Sequence, residues 1–360
     1  MGHITANARA LIGYRDTEQY IPNSYKLVGG SPAALEAMIT AFDEARVSIG
    51  VQFFSFEADE VGLRVAAALM RAAKRNVRVR VIIDSNLRIN QADAYVYSLR
   101  LNKQERRKQR QRVRNNLAMV AGMRAAGVEV QFCSPLWIHW YTRDHRKLVI
   151  VDERHAWLGG FNPTAQNFAW HDFIVKIAGG AARPLAFVFD ATWNGKMSGG
   201  TLRHNDGVVM VDMPMFPSTI WRATLRLIDH AEERIVIESP YLQGGALWRT
   251  LFAAARRDVP VDVIVPFKNH KRLWVPTERQ LKRAVSKGLT VHRFEGTGGM
   301  AHTRALLADD WAIFGSHAFN AMSSGKLAEL SMATRNRSLV HQLERFLQND
   351  MANSQLQGAK

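Results

Sequence analysis

The chain contains HRKLVIVD at residues 145–152 and HTRALLAD at residues 302–309. Each octamer consists of His, any residue, a cation, four apolar residues and Asp. A single octamer of this kind is typical of an ordinary buried strand with a polar edge. Both copies, however, are followed by a short apolar run, a pair of small residues and an Asn, so the repetition predicts two related half-sites. The downstream residues are Gly159-Gly160 and Asn162 in the first copy and Gly315-Ser316 and Asn320 in the second.

The residue types in these octamers suit chemistry at phosphorus. Strand side chains alternate between two faces, so His145 and Lys147 share one face. An imidazole can attack phosphorus or transfer a proton near neutral pH, and a neighbouring cation can hold the non-bridging oxygens of a phosphate. Two copies folded face to face would place a nucleophile and an acid on opposite sides of one phosphorus atom. That arrangement is required for in-line displacement.

Composition narrows the class of partner. The 360 residues carry a formal net charge of +16 and a sequence pI near 10.3, which indicates nucleic acid or an acidic membrane surface as the partner. Cys133 is the only cysteine, which excludes an intrachain disulfide and fits a reducing compartment. No run approaches the roughly 20 apolar residues of a membrane span, and residues 1–20 lack the apolar core of a signal peptide. We therefore expect a soluble or peripheral protein.

Hydrophobic periodicity predicts an α/β fold with an internal repeat. After an N-terminal arm at residues 1–25, helices and strands alternate, and a second pass in the same order begins near residue 217. The first pass has helices at 31–45 and 61–74 and strands at 47–54 and 77–83; the second has helices at 220–232, 247–256 and 278–287 and strands at 234–238, 261–265 and 289–294.

Two segments interrupt the pattern. The basic insert at residues 85–116 contains eight Lys and Arg residues from Arg100 onward against one acid, Glu105. It is either a solvated helix or mobile loop, or a contact for phosphates or anionic lipid head groups beside a strand end, where α/β folds gather their sites. The loop at residues 134–142 carries Trp137, Trp140 and Tyr141, which suit a lid, a core or a lipid interface.

The repeated motif, together with VRVRVIID at residues 77–84, ESPY at 238–241 and RDHRK at 143–147, resembles the phospholipase D superfamily. Within it the chain is most similar to bacterial cardiolipin synthases, in a form without N-terminal transmembrane helices. The resemblance extends from about residue 25 to residue 346. It implies two pseudo-twofold-related α/β/α sandwich halves, residues 26–200 with the basic insert and residues 201–360, with the active site at their interface.

The resemblance also implies roles for individual residues. His145 would be the nucleophile that forms a phosphohistidine, and His302 the acid that then acts as base, although the sequence leaves the reverse assignment open. Asp172 and Glu329 would fix the tautomers of the histidines; the alternative for both is a surface salt bridge. No metal or other cofactor is implied. The phosphate would be bound by Lys147, Arg304, Asn162, Ser316 and Asn320, and Asp152 and Asp309 would be structural.

The second copy departs from the family pattern. Arg304 stands where the motif normally has Lys, which keeps the charge but changes its shape and hydrogen-bond geometry. The interval from Asp309 to Gly315 is one residue shorter than in the first copy, and Asn320 lies five residues after its Gly, whereas Asn162 lies three after its own. These changes predict an altered second half-site.

The expected function is a phosphatidyltransferase that transfers a phosphatidyl group from an anionic phospholipid to a lipid or alcohol acceptor. The alternatives are a phospholipase D hydrolase, a superfamily nuclease acting on nucleic acid, and a non-enzymatic lipid-binding protein with a decayed second site. The expected location is cytoplasmic, peripheral on the inner membrane, against an anionic phospholipid surface. The sequence leaves the oligomeric state open.

Overall fold

The computed structural model describes residues 21–85, 102–133, 142–267, 276–296 and 299–358. Within them the chain forms two β-sheets, one in each half. The first sheet has the order β1-β8-β7-β6-β2-β3-β4. Its strands are β1 (Ser24–Gly29), β2 (Ser48–Phe53), β3 (Arg78–Asp84), β4 (Glu129–Cys133), β6 (Leu148–Val151), β7 (His155–Gly159) and β8 (Phe173–Ala178).

The second sheet has the order β17-β13-β12-β11-β14-β15-β16-β10-β9, and the two-residue strand β5 (Arg143–Asp144) of the first half pairs with β16. Its own strands are β9 (Gly200–His204), β10 (Gly207–Asp212), β11 (Ile235–Glu238), β12 (Val261–Pro266), β13 (Thr290–Phe294), β14 (Ala305–Ala308), β15 (Trp311–Gly315), β16 (Leu327–Thr334) and β17 (Ser354–Leu356).

The two sheets repeat one topology. In the first, β2, β3 and β4 run parallel and β6 pairs antiparallel with β2; in the second, β11, β12 and β13 run parallel and β14 pairs antiparallel with β11. The registers match as well. Gln52 lies opposite Leu148 and Glu238 lies opposite Ala305, and Leu148 and Ala305 each follow a motif His by three residues. The predicted duplication is confirmed.

Helices cover both faces of each sheet. The first half has α1 (Ser31–Glu44), α2 (Glu60–Lys74), α3 (Lys103–Ala125), α4 (Ala165–Phe168) and α5 (Ala182–Trp193); the second has α6 (Thr219–His230), α7 (Gly245–Ala255), α8 (Glu278–Ser286), α9 (Ala321–Lys326) and α10 (Arg337–Ala352).

The buried apolar residues form three layers. One core lies between the first sheet and helices α1, α2 and α3, and another between the second sheet and helices α6, α7 and α8. The third joins the inner faces of the two sheets and encloses α5 and α10, so that Ile150 and Leu158 belong to the same cluster as Leu307 and Leu330. Burial of this shared layer fixes the halves against each other, which is a condition for a site built from both.

Local sequence signals explain the helix boundaries. Pro32 occupies the first turn of α1, and the Asp59 side chain accepts hydrogen bonds from Val61 N and Gly62 N at the start of α2. Asn102 and Glu105 form a capping box at the start of α3. These caps satisfy backbone N–H groups that the first turn of each helix would otherwise leave without partners.

Two sequence expectations need correction. The arm assigned to residues 1–25 extends too far, because β1 begins at Ser24 and Tyr25 is buried. Residues 103–116 of the basic insert form the N-terminal part of α3, which begins at Lys103 rather than near residue 117. Residues 1–20, residues 86–101 of the insert and the aromatic loop at 134–141 lie outside the described residues. The division of the halves at residue 200 stays a prediction.

Candidate active site

The backbone of each motif histidine is hydrogen-bonded to the backbone of the opposite half. His145 follows β5, which pairs with β16 of the second half, and His145 N donates to Ala328 O at 2.9 Å. His302 N donates to His171 O of the first half at 2.8 Å, next to a β-bridge between His171 and Ala301. The two histidines therefore lie at the interface between the halves.

The carboxylates that hold the imidazoles also come from the opposite half. His145 Nδ1 lies 3.0 Å from both carboxylate oxygens of Glu329, and His302 Nδ1 lies 2.9 Å from Asp172 Oδ2. Both carboxylates are almost fully buried. A carboxylate at Nδ1 holds the proton there and directs Nε2 toward the reacting group. The sequence predicts the two acids, but only the fold shows that each acid contacts the histidine of the opposite half.

The two motif cations contact their histidines differently. Lys147 Nζ donates to the backbone carbonyl of His145 at 2.6 Å. Arg304 Nη2 lies 2.7 Å from His302 Nε2, and Arg304 Nη1 lies 3.3 Å from His302 Nδ1. A guanidinium can only donate, so His302 Nε2 accepts and His302 Nδ1 donates to Asp172. In this geometry His302 is the neutral Nδ1–H tautomer.

Electrostatics link these groups into one site. Burial and the neighbouring Arg304 hold the pKa of Lys147 well below its ordinary value, and Glu329 and Asp172 oppose that shift. Burial raises the pKa of Asp172 to about 7 against the opposing effect of Arg304, and burial also raises the pKa of Glu329. Two buried cations whose charges repel each other favour an anionic ligand between them.

One residue of each small-residue pair lies against a carboxylate. Ser316 Oγ donates to Glu329 Oε2 and accepts from Leu330 N at 3.0 Å. In the first half Gly160 takes the corresponding place, and a Cβ there would lie 2.0 Å from Asp172 Oδ2. The structure thus places Ser316 on the carboxylate of Glu329, while the first half leaves no room for a side chain.

The two asparagines after the small pairs do not occupy corresponding positions. Asn320 is the N-cap of α9 and accepts from Ser323 N at 2.8 Å, as Thr164 caps α4 five residues after Gly159. The position three residues after Gly315, which would match Asn162, holds Ala318. The expected repetition of Asn is therefore wrong, because Asn162 and Asn320 lie at different points of the corresponding turns in the two halves.

Asn162 binds within the first half. Its Oδ1 accepts from Ser55 N at 3.1 Å, and its Nδ2 donates to Asn167 Oδ1 at 2.7 Å. These two bonds join the segment after β2 to the helix α4. A phosphate role for Asn162, Asn320 or Ser316 stays a prediction.

The motif aspartates lie at the other end of their strands. Asp152 accepts from the N–H groups of residues 46, 47 and 48, and Asp309 from those of residues 232, 233 and 234. Both have positive φ, 52° and 51°. Each carboxylate thus binds the start of the neighbouring strand, β2 or β11, away from the histidines.

Aromatic side chains that the motifs do not reveal line the site. The Phe54 ring lies 4.8 Å from the His145 ring, and the Trp170 and Tyr241 rings lie 4.5 and 6.4 Å from the His302 ring. Phe54 follows the end of β2 directly, and position at a strand end was the one sequence signal available for it. Trp170 and Tyr241 also form a buried apolar cluster with Met300 and Ala318.

Beneath the histidines the halves carry different buried polar groups. In the first, Asp144 accepts two hydrogen bonds from the Arg146 guanidinium and one from Gln52 Nε2. In the second, Glu238 replaces Gln52 and lies beside Asp350, whose Oδ2 is 2.8 Å from His171 Nε2. Burial, followed by Asp350, raises the pKa of Glu238 well above its ordinary value, which favours the protonated form of this carboxyl group.

Within the described part of the chain, no group of three or more His, Cys, Asp or Glu side chains has an arrangement suited to a metal ion. Among the same residues, no helix is both long and apolar enough to cross a bilayer.

The fold and the paired His-x-Lys/Arg-x4-Asp motifs define a duplicated phospholipase D-like protein. The family described as "Cardiolipin synthase, PLD-like domain" matches residues 38–193 and 224–351, which is most of the chain. The chain belongs to this family.

Curated relatives are cardiolipin synthases. The chain is 24% identical over 316 residues to the major cardiolipin synthase ClsA of Bacillus subtilis, covering 80% of this chain and 60% of that protein. It is 26% identical over 353 residues to cardiolipin synthase A of Pseudomonas entomophila, covering 91% and 68%. The chain thus spans about 60% of the length of several curated relatives that it matches.

Solved structures share the fold. A phosphatidylserine synthase from Haemophilus influenzae superposes with a TM-score of 0.72 at 14% identity, covering 92% of this chain and 87% of that one. A polyphosphate kinase from Porphyromonas gingivalis gives 0.62 at 14% identity, covering 90% and 46%. At this identity the likeness concerns the fold alone.

Proposed function

We propose that this protein is a phosphatidyltransferase of the cardiolipin synthase type, which works through a phosphohistidine intermediate. The observation that carries the proposal is the pair of imidazoles at one interface, each held at Nδ1 by a buried carboxylate of the opposite half. Two such groups with two buried cations provide what displacement at a phosphodiester requires.

In the first step His145 Nε2 attacks the phosphorus of the donor phospholipid. The P–N bond forms as the P–O bond to the leaving alcohol breaks. His302, which takes up a proton at Nε2 from solvent when Arg304 turns to the phosphate, gives that proton to the departing alkoxide. Arg304 must leave His302 Nε2 for this step, and the incoming phosphate oxygens are its natural alternative partner. Substrate binding thus releases the acid.

In the second step His302 Nε2 accepts the proton of an acceptor hydroxyl, whose oxygen attacks the same phosphorus. The new P–O bond forms as the P–N bond to His145 breaks, so His145 is free again and His302 carries at Nε2 the proton that the next cycle needs. An alcohol or lipid hydroxyl as acceptor gives transfer, and water gives hydrolysis. Exclusion of water from the interface decides between the two outcomes.

Two observations support His145 as the nucleophile. Its side chain is 14% exposed and that of His302 5%, so the His145 ring is the more open to an incoming phosphorus. The acid must carry a proton near neutral pH, and a carboxyl with a pKa of about 7, Asp172, stands against His302. The His302–Asp172 pair therefore suits the proton-carrying role.

The substrates follow from the family and from charge. Relatives of this chain are named cardiolipin synthases, and its net charge is +16. We therefore propose phosphatidylglycerol as donor and a second phosphatidylglycerol as acceptor, which yields cardiolipin and glycerol. We also propose that the protein acts in the cytoplasm, bound peripherally to the anionic surface of the inner membrane.

The direct test is incubation of the purified protein with phosphatidylglycerol in vesicles, and separately with single- and double-stranded DNA, next to a His145→Ala control. Cardiolipin and glycerol from the wild type alone would support the proposal. Phosphatidic acid in place of cardiolipin would make the protein a hydrolase. Cleaved DNA with unchanged lipid would replace the proposal with a nuclease.

A further inference from the structure

The basic segment of α3 extends past the edge of the sheet on which the active site opens. Every buried residue of α3 lies at or after Asn116, whose Oδ1 accepts from Ala58 N at 2.7 Å. Ala58 and Phe54 both follow the carboxyl end of β2, and the ring of Phe54 contacts the ring of His145. Asn116 therefore marks the level of the catalytic edge.

Residues 103–115, here called the basic arm, project beyond that level. Eleven of the thirteen are exposed and the other two, Gln109 and Val113, are half-buried. At 1.5 Å per residue the basic arm is about 20 Å long. A helix whose sides are nearly all exposed gains little from packing, so its sequence reflects some other requirement.

The charges of the basic arm oppose its stability as an isolated helix. It carries seven Lys and Arg residues and one acid, Glu105. Lys103, Arg107, Arg110 and Arg114 follow at helical spacing and form a stripe along one face, where like charges one turn apart repel. Cations near a helix N-terminus also oppose the helix dipole. Binding to an anionic surface would offset both of these unfavourable charge interactions.

We propose that the basic arm docks this protein on an anionic phospholipid surface and so holds the catalytic edge toward the lipid. The inference rests on the proposed phosphatidyltransferase function, because that function places the substrate in such a surface. Val113 is the one apolar residue of the basic arm, so the contact is with head-group phosphates and does not insert into the acyl chains.

The test compares two variants that lose the same charge from opposite edges of the molecule. The arm variant is Lys103→Gln, Arg107→Gln, Arg110→Gln and Arg114→Gln, in which Gln keeps the helix propensity of Lys and Arg. The control variant carries Gln at Lys74, Arg154, Arg256 and Lys287, which are exposed beside the opposite ends of the parallel strands. Binding is measured by co-sedimentation with vesicles of phosphatidylcholine with and without phosphatidylglycerol.

Each basic residue at a membrane surface contributes about fivefold to binding, so the arm variant should bind phosphatidylglycerol vesicles at least roughly 100-fold more weakly than the wild type. The control variant should stay within about fivefold of the wild type, and phosphatidylcholine vesicles should bind none of the three. Added salt should weaken wild-type binding more than that of the arm variant.

Equal losses in the two variants would overturn the proposal in favour of a general effect of net charge. Unchanged binding by the arm variant would also overturn it, as would wild-type binding to DNA but not to vesicles. Thermal unfolding of both variants checks the fold.

Turnover of phosphatidylglycerol diluted in neutral detergent micelles separates this inference from the proposed function. The arm variant should turn over that substrate like the wild type. Absence of turnover by every form, with arm-dependent vesicle binding intact, would contradict the proposed function alone.

Discussion

The two half-sites share a backbone and differ in how the motif cation meets the imidazole. In the first, Lys147 binds the backbone carbonyl of His145. In the second, Arg304 lies against both ring nitrogens of His302. Duplication thus conserves the positions of the groups, whereas one substitution in the motif changes which atom the cation binds. The altered second motif retains its histidine, a cation and a buried carboxylate partner, which argues against a decayed site.

The buried polar groups near the two histidines also differ between the halves. The first half buries a matched ion pair, Asp144 with Arg146, whereas the second buries Glu238 and Asp350 with His171 as partner. Two carboxyl groups in one apolar layer favour a retained proton. The half that we propose to carry the acid thus also buries Glu238, whose pKa burial and Asp350 raise.

The largest effect should come from removing the histidines, and a substrate with an activated leaving group should separate them. His145→Ala should lower turnover by at least about 10⁴-fold for a phosphatidyl alcohol and for a p-nitrophenyl ester alike, because no nucleophile remains. His302→Ala should cost about 10³-fold with the alcohol and far less in the first turnover of the ester, whose leaving group needs no proton. Steady-state and burst kinetics measure both. The reverse pattern would exchange the roles of the two halves.

A smaller effect should follow from exchanging the small residues that lie against the carboxylates. Gly160→Ser places a Cβ 2.0 Å from Asp172 Oδ2, so it should lower the free energy of unfolding by about 2 kcal/mol and turnover by about 100-fold. Ser316→Gly removes a donor from Glu329 and should cost about 1 kcal/mol. Urea unfolding and initial rates test the pair, and equal costs for both changes would refute the asymmetry.

Exchange of the cations should be tolerated in one half only. Arg304→Lys restores the usual motif and should keep turnover within about tenfold of the wild type, because the charge stays beside the phosphate. Lys147→Arg enlarges a fully buried side chain next to Phe54 and should cost about 1–3 kcal/mol of stability with a larger loss of turnover. Matched rates for the two variants would show that the halves treat their cations alike.

The last prediction concerns the pH dependence of stability. Folded Asp172 keeps its proton up to a pKa of about 7, and the unfolded chain releases it near 3.8, so the folded state binds more protons between these values. The contribution of Asp172 to the free energy of unfolding therefore falls as pH rises through that window and is constant above it. Asp172→Asn should remove this slope. The difference between wild-type and variant urea curves, measured at several pH values, should change only within the window.

The sequence was sufficient for the repeat and its central strands. The apolar run at 47–54 and the alternation at 77–83 became β2 and β3, because a strand's period and burial are local properties. The start of α3 was misplaced, since the basic arm has no apolar periodicity and its helix is defined by the cap at Asn102.

The composition of the site could be predicted, but its pairing could not. His145, His302, Asp172 and Glu329 were identified from motif and family resemblance. Which acid serves which histidine depends on the packing of two distant segments, such as β5 on β16, and no local pattern encodes that. Likewise, the Asn320 position could be recognised as an N-cap only once α9 was seen to begin beside it.

The central claim is that the two halves divide the chemistry, with the covalent adduct on His145. The most direct measurement is peptide mapping by mass spectrometry of the His302→Ala variant after reaction with the p-nitrophenyl ester of a phosphatidic acid, quenched without acid because a P–N bond hydrolyses in acid. We predict a phosphatidyl group on the peptide that contains His145 and none in a His145→Ala, His302→Ala double variant. A fully labelled double variant would contradict the account, as would a His302→Ala variant that turns over the ester without ever carrying an adduct.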